Sequence, residues 1–247
     1  MHGKWIRRIS LPRELARTAL ICFPHVGGSA TYFAPLAQCI DPAIEPLSVQ
    51  YPGRQDRRHD EWAGSIDELV DGVLAELPGT VEGRAVALYG HSMGATVAFE
   101  VCRRLPEFGV TPQALFLSGR RSPRSVREEH NHTHTEAELA TELRRVADTP
   151  PTWLADPELR ELLLPVVRMD YRAIESYVYT EGRPVECPIV VLTGDDDPYV
   201  DVDEAKDWES FTTGDFALHA YQGKHFFMES NLPAVGQLMS ETLARLN

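Results

Sequence analysis

The sequence is short of several things, and each shortage excludes something. No run of about 18 apolar residues occurs, the length that a membrane-spanning helix requires. The opening MHGKWIRRIS is basic, but neither an apolar core nor a small-residue cleavage site follows it, so no secretory signal is read. A cytoplasmic protein with no membrane partner is expected. Cysteine is sparse: Cys22, Cys39, Cys102 and Cys187 lie far apart, form no C-x-x-C pair and fall mostly within apolar segments. They read as buried thiols in a reducing compartment, not as a disulfide framework. Basic charge is in deficit, with 24 Lys+Arg against 37 Asp+Glu and a net charge of -13. That sign argues against a nucleic-acid partner, whose phosphates call for a basic face. Proline (18) and glycine (17) are too few for a low-complexity chain, and no internal repeat or Pro/Ser-rich linker is visible.

What remains fits an ordinary globular chain: 247 residues, 43% hydrophobic and 25% charged, expected as one domain over residues 1–247. Short apolar runs at 20–23, 47–51, 85–89, 114–117, 189–192 and 216–220 each end in a Gly, Pro or polar turn. They alternate with helical stretches, which predicts an α/β fold with a mostly parallel central sheet and helices on both faces. Ser65-Ile66-Asp67-Glu68 has the form of a capping box, and Leu69, Val70, Val73, Leu74 and Leu77 follow at helical spacing. Residues from about 122 to 185 contain no convincing strand and suggest helices at 136–146 and 158–177. That stretch is expected as a helical insertion over the C-terminal edge of the sheet.

Gly90-His91-Ser92-Met93-Gly94 matches G-x-S-x-G between an apolar strand and the helical run from Ala95 to Val101. In a strand-to-helix elbow the serine occupies a strained turn, and glycines two residues either side remove clashes. A chance match in a chain of this length has odds on the order of one in ten, so the motif needs its context. This arrangement belongs to the α/β-hydrolase fold, in which an acid and then a histidine follow the serine. After the strand at 189–192 come Asp195, Asp196 and Asp197, and after the strand at 216–220 comes His225 beside Phe226 and Phe227. Three adjacent carboxylates cannot all face one imidazole; Asp197 is chosen, with Asp195 and Asp196 as turn formers or solvated charges. Ser92, Asp197 and His225 are thus the expected nucleophile, orienting acid and general base. The developing oxyanion needs two backbone N–H donors. Met93, at the start of the helix, and Val26, in the loop Phe23-Pro24-His25-Val26-Gly27-Gly28-Ser29, are the candidates. His25 is taken as structural. His130, His132 and His134 form an alternating row that could present metal ligands, but no second cluster supports it and no metal or cofactor is expected.

Taken together the residues resemble a family, the stand-alone type II thioesterases that accompany polyketide and nonribosomal peptide synthetases. The likeness rests on the triad context and on Phe23-Pro24-His25-Val26-Gly27-Gly28, Gln50-Tyr51-Pro52-Gly53-Arg54, Ser118-Gly119-Arg120-Arg121-Ser122-Pro123, Leu163 to Asp170 and Gly223-Lys224-His225-Phe226-Phe227. The resemblance implies hydrolysis of acyl groups from the phosphopantetheine arm of acyl or peptidyl carrier proteins, an editing role, and a flexible helical lid. Val26 stands where the family often has alanine, which matters little for a backbone donor. A monomer is expected. Carrier domains are typically acidic, so Arg120, Arg121, Arg124 and Arg127 are expected to offer a local basic docking face. The rival readings are a product-releasing thioesterase or acyltransferase, a general carboxylesterase, and a non-catalytic carrier-binding module.

Overall fold

A computed structural model describes residues 3–147 and 152–246. Its sheet contains β1 (Ile6–Arg8), β2 (Thr18–Phe23), β3 (Ile44–Val49), β4 (Ala85–His91), β5 (Pro112–Ser118), β6 (Ile189–Gly194) and β7 (Phe216–Tyr221), in the order β1-β3-β2-β4-β5-β6-β7. Every neighbouring pair is parallel except β1 with β3. All six residues of β2 are buried, and they alternate between two cores: Ala19, Ile21 and Phe23 face one, Leu20 and Cys22 the other. Strands buried on both faces read as continuous apolar runs, which is why they could be placed without a helix-or-strand contest.

The helices are α1 (Ala34–Ala37), α2 (Ile66–Leu74), α3 (Leu77–Thr80), α4 (Met93–Arg104), α5 (Glu136–Val146), α6 (Pro157–Glu175), α7 (Val202–Lys206) and α8 (Met228–Leu246), the last bent at Asn231 just ahead of Pro233. α2 and α4 cover one face of the sheet with Leu69, Val73, Val97 and Val101; α1 and α8 cover the other with Leu36, Val235, Met239 and Leu243. The chain reverses its direction of winding between β2 and β4, because β3 lies on one side of β2 and all later strands on the other. In such sheets the crevice beyond the carboxyl ends of the two central strands receives ligands.

Several expectations shift. The second strand runs Ile44–Val49, not 47–51, and includes Glu45 and Pro46. Glu45 tolerates burial because Arg8 Nε donates to it at 2.8 Å and Arg84 donates to its other oxygen. At Ser65 only half of the capping box forms: Ser65 Oγ accepts from the Glu68 amide at 3.2 Å, but the Glu68 carboxylate accepts from Gly64 instead, at 2.7 Å. Complete boxes occur at Thr135 with Glu138 and at Asp201 with Glu204. Cys39 is only half-buried. Among the described residues of the insertion, α5 covers 136–146, α6 covers 157–175 and no strand occurs. No helix among the described residues is long and apolar enough to cross a membrane.

Candidate active site

β4 ends at His91 and α4 begins at Met93, so Ser92 alone makes the turn, with φ 57° and ψ -121°. An L-residue held there stores about 1–3 kcal/mol of strain. The flanking glycines are demanded by contact: a Cβ on Gly90 would stand 2.2 Å from the Gly94 carbonyl oxygen, and one on Gly94 would stand 2.0 Å from that of Phe23. The Ser92 amide donates to the Ser118 carbonyl at 2.8 Å, which extends the β4–β5 pairing into the elbow. Ser92 lies in a pocket of about 550 Å³ of atom-free space, partly open to solvent, whose walls include Val26, Met93 and His225. α5 and α6 contribute Leu143, Val146, Tyr171 and Ile174, so the insertion roofs the pocket with mostly apolar side chains.

His225 Nδ1 and Asp197 Oδ2 are 2.8 Å apart, with side chains 3% and 0% exposed. A carboxylate can only accept, so this bond puts the imidazole proton on Nδ1 and leaves Nε2 as the basic nitrogen. Asp197 Oδ1 accepts from the Tyr199 amide at 2.9 Å, which fixes the carboxylate in turn. Asp195 Oδ1 instead accepts from the Gly223 amide at 3.0 Å, and Asp196 is exposed. Of the three aspartates, Asp197 is the one that reaches the histidine.

Two further histidines flank His225, and both are held neutral. His91, buried with Nδ1 3.0 Å from Ser118 Oγ, has its ring 5.0 Å from that of His225. Burial, then the nearby His225 and His25, drives its pKa well below the usual value. The His25 ring is enclosed by Tyr32 at 4.4 Å and Phe226 at 4.9 Å, and burial, followed by His225 and Arg54, lowers its pKa to about 3. The Tyr199 ring meets His225 edge-on at 4.9 Å. His225 is therefore the one imidazole of this group placed beside a carboxylate.

The basic docking face expected from Arg120, Arg121, Arg124 and Arg127 is not formed. Arg121 is buried and pairs with Glu129 at 2.9 Å, Arg124 pairs with Glu181 at 2.8 Å, and Arg127 pairs with Glu204 at 2.5 Å. Arg120 lines the pocket, where burial and then Arg121 lower its pKa to about 10. Folding supplies each exposed arginine with an acid that the linear run did not reveal. The histidine row also disperses. His132 Nδ1 lies 2.5 Å from Glu175 Oε2, His130 is exposed, and no cluster of three or more metal-ligating side chains exists among the described residues.

The sequence did not reveal Tyr199 against His225, His91 beside it, or the pairing of Arg54 with Asp170. The last two stood in stretches already quoted, but nothing local tied one to the other.

A family model described as a thioesterase domain matches residues 18–243. The chain is 42% identical over 228 residues to thioesterase PikA5 of Streptomyces venezuelae, covering 92% of this chain and 80% of that one. It is 40% identical over 241 residues to a probable cadicidin biosynthesis thioesterase of Streptomyces griseus, covering 98% of this chain and 66% of that relative's length. Among solved structures it matches the type II thioesterase BorB from the borrelidin biosynthetic cluster with a TM-score of 0.90 and 41% identity, covering 98% of this chain and 99% of that one.

Proposed function

The chain belongs to the thioesterase family, and we propose that it is a serine thioesterase that hydrolyses acyl groups from the phosphopantetheine arm of acyl or peptidyl carrier proteins, editing polyketide or nonribosomal peptide assembly. The observation that carries the reading is that His225, which shares the pocket wall with the strained Ser92, is paired with the buried Asp197 at 2.8 Å. Solved structures titled as coming from NRPS/PKS pathways, 28% identical to this chain, support the substrate class.

In this mechanism His225 Nε2 takes the proton of the Ser92 hydroxyl as its oxygen attacks the thioester carbonyl. The carbonyl oxygen becomes negative and is held by the backbone N–H groups of Val26 and Met93, the latter also at the positive end of α4. Asp197 stabilises the imidazolium that forms at His225. The neutral state of His25 and His91 favours this step, because a second cation beside His225 would oppose its protonation. Collapse expels the phosphopantetheine thiol, which receives the proton from His225. A water then attacks the acyl-serine by the same route, releasing the acid and restoring Ser92. No cofactor takes part; the phosphopantetheine belongs to the substrate.

The test is a panel of acyl-loaded carrier domains followed by intact mass. Deacylation by the wild type, abolished in Ser92→Ala, is the expected result. Faster turnover of p-nitrophenyl esters than of any acyl-carrier would overturn the proposal in favour of a general esterase.

A further inference from the structure

Opposite the nucleophile elbow, the loop that carries Val26 is held by a residue of the roof. Asp170, on α6, is buried, as is Arg54, which lies beyond β3. The two meet in a bidentate pair, Arg54 Nη1 donating to Asp170 Oδ2 at 2.7 Å and Nη2 to Oδ1 at 2.7 Å. Asp170 Oδ2 accepts a further bond from the Gly27 amide at 2.7 Å. Arg54 Nη1 also donates to the Gly28 carbonyl at 2.9 Å. The peptide group that enters Gly27 and the one that leaves Gly28 are thereby gripped by one ion pair. Gly27 has φ +74°, and a Cβ there would stand 2.7 Å from Val167 Cγ2, so the loop also lies flat against α6.

Charge-assisted bonds of this geometry are among the stronger ones, and a planar guanidinium facing a carboxylate fixes direction as well as distance. Gly27 follows Val26 directly. Fixing the Gly27 N–H fixes the plane of the peptide that begins at the Val26 carbonyl, and the Gly28 amide, donating to the His25 carbonyl at 2.9 Å, restrains the peptide group that carries the Val26 N–H. We propose that Asp170 and Arg54 are positioning residues for catalysis: they hold the Val26 N–H where the oxyanion forms, and so make α6 part of the oxyanion apparatus. This rests on the hydrolase reading above. The same pair also anchors the C-terminal half of α6 to the body beside the nucleophile.

Three variants are compared with the wild type: Asp170→Ala, Arg54→Gln, and the double variant Arg54→Gln with Asp170→Asn. In the double variant an amide oxygen can still accept from Gly27 and no guanidinium is left unpaired. Active sites are counted by stoichiometric labelling of Ser92 with a fluorophosphonate, so that kcat refers to folded, competent protein. With an acyl-pantetheine thioester, Asp170→Ala should lose on the order of 100-fold in kcat per labelled site with KM within about twofold of wild type. Its affinity for a trifluoromethyl ketone analogue, which binds as a tetrahedral adduct, should fall by a similar factor. The double variant should recover most of both losses. A merely structural role would lower the labelled fraction and leave kcat per site unchanged, and that result overturns the inference, as does an unchanged ketone affinity. Should Asp170→Ala fail to fold, the same two readouts on Arg54→Gln and the double variant decide it. A wild type that neither hydrolyses the thioester nor takes up the fluorophosphonate would instead sink the hydrolase reading itself.

Discussion

The Tyr199 hydroxyl donates to the Glu142 carboxylate, tying the residue two places beyond Asp197 to the middle of α5. That spends its only proton, so the Tyr171 hydroxyl, 3.2 Å away, donates to the Tyr199 oxygen. Burial pushes the Glu142 carboxyl up, but bonds from Arg145 and Tyr199 outweigh it and leave the pKa below the ordinary value. The roof is thus fastened to the acid loop by a charged acceptor shared between Arg145 of α5 and Tyr199.

Replacing Tyr199 by Phe removes this fastening while keeping the ring against His225 and the amide bond to Asp197. Stability should fall by about 1–2 kcal/mol, and backbone amides of α5 should exchange with solvent several-fold faster. Turnover of a small thioester should stay within a few-fold of wild type. Unchanged exchange in α5, measured by hydrogen-exchange mass spectrometry, would show that the roof is held by other means.

Strain at Ser92 predicts a trade between stability and activity. Ser92→Gly relieves the φ 57° conformation but adds backbone freedom to the unfolded chain, a loss of about 0.5–1 kcal/mol against strain of about 1–3 kcal/mol. Ser92→Ala keeps the strain. Both variants should be inactive, and the glycine variant should be the more stable by about 1 kcal/mol in urea unfolding. The reverse order would mean that the elbow is not strained.

Buried neutral histidines give a distinct pH dependence. An unfolded histidine titrates near 6.5, whereas His25 is lowered to about 3 and His91 is also depressed. Below pH 6.5 the unfolded chain takes up protons that the folded chain refuses, so stability falls as pH falls. Between about pH 6.5 and 5 the carboxylates are ionised in both states, and each such histidine contributes up to about 1.4 kcal/mol per pH unit. His91→Gln should reduce the measured slope of unfolding free energy against pH by about one proton. A wild-type stability that is flat across this window would contradict the burial of both rings.

The four thiols should differ in reactivity. Cys39 is half-buried, with its thiol near the Pro35 carbonyl. Burial raises the Cys22 pKa; the bond to Cys187, together with burial, raises that of Cys102. Cys187, 3.6 Å from Cys102 Sγ, is lowered by the same bond. Under native conditions a disulfide reagent should modify Cys39 first and Cys187 second, with Cys22 and Cys102 reacting only in denaturant. Peptide mass spectrometry after timed quenching reads the order, and early labelling of Cys22 would contradict it.

The parts of this molecule that were readable in one dimension are those whose physics is local. The elbow declared itself because the glycines that admit Ser92 are two residues away, and the acid could be sought after one strand and the histidine after the next because chain order constrains them. β1 escaped because Ile6–Arg8 is short and polar, and it earns its place only by pairing with β3. The Arg54–Asp170 clamp escaped because its halves are 116 residues apart. The arginine run misled for the complementary reason: its charge was visible, while Glu129, Glu181 and Glu204, which neutralise it, are brought in by folding.

The clamp also sets a schedule for synthesis. Gly27 and Asp170 are separated by 143 residues, which at 5–20 residues per second is roughly 7–30 s of translation. In the later part of that interval, once Ser92 has been made, the elbow exists as chain while the loop that would hold the oxyanion has no anchor. A nascent chain with its nucleophile made and its oxyanion loop unfastened should be a poor hydrolase, so competence would arrive only after α6 has closed on the N-terminal loop and His225 has been made.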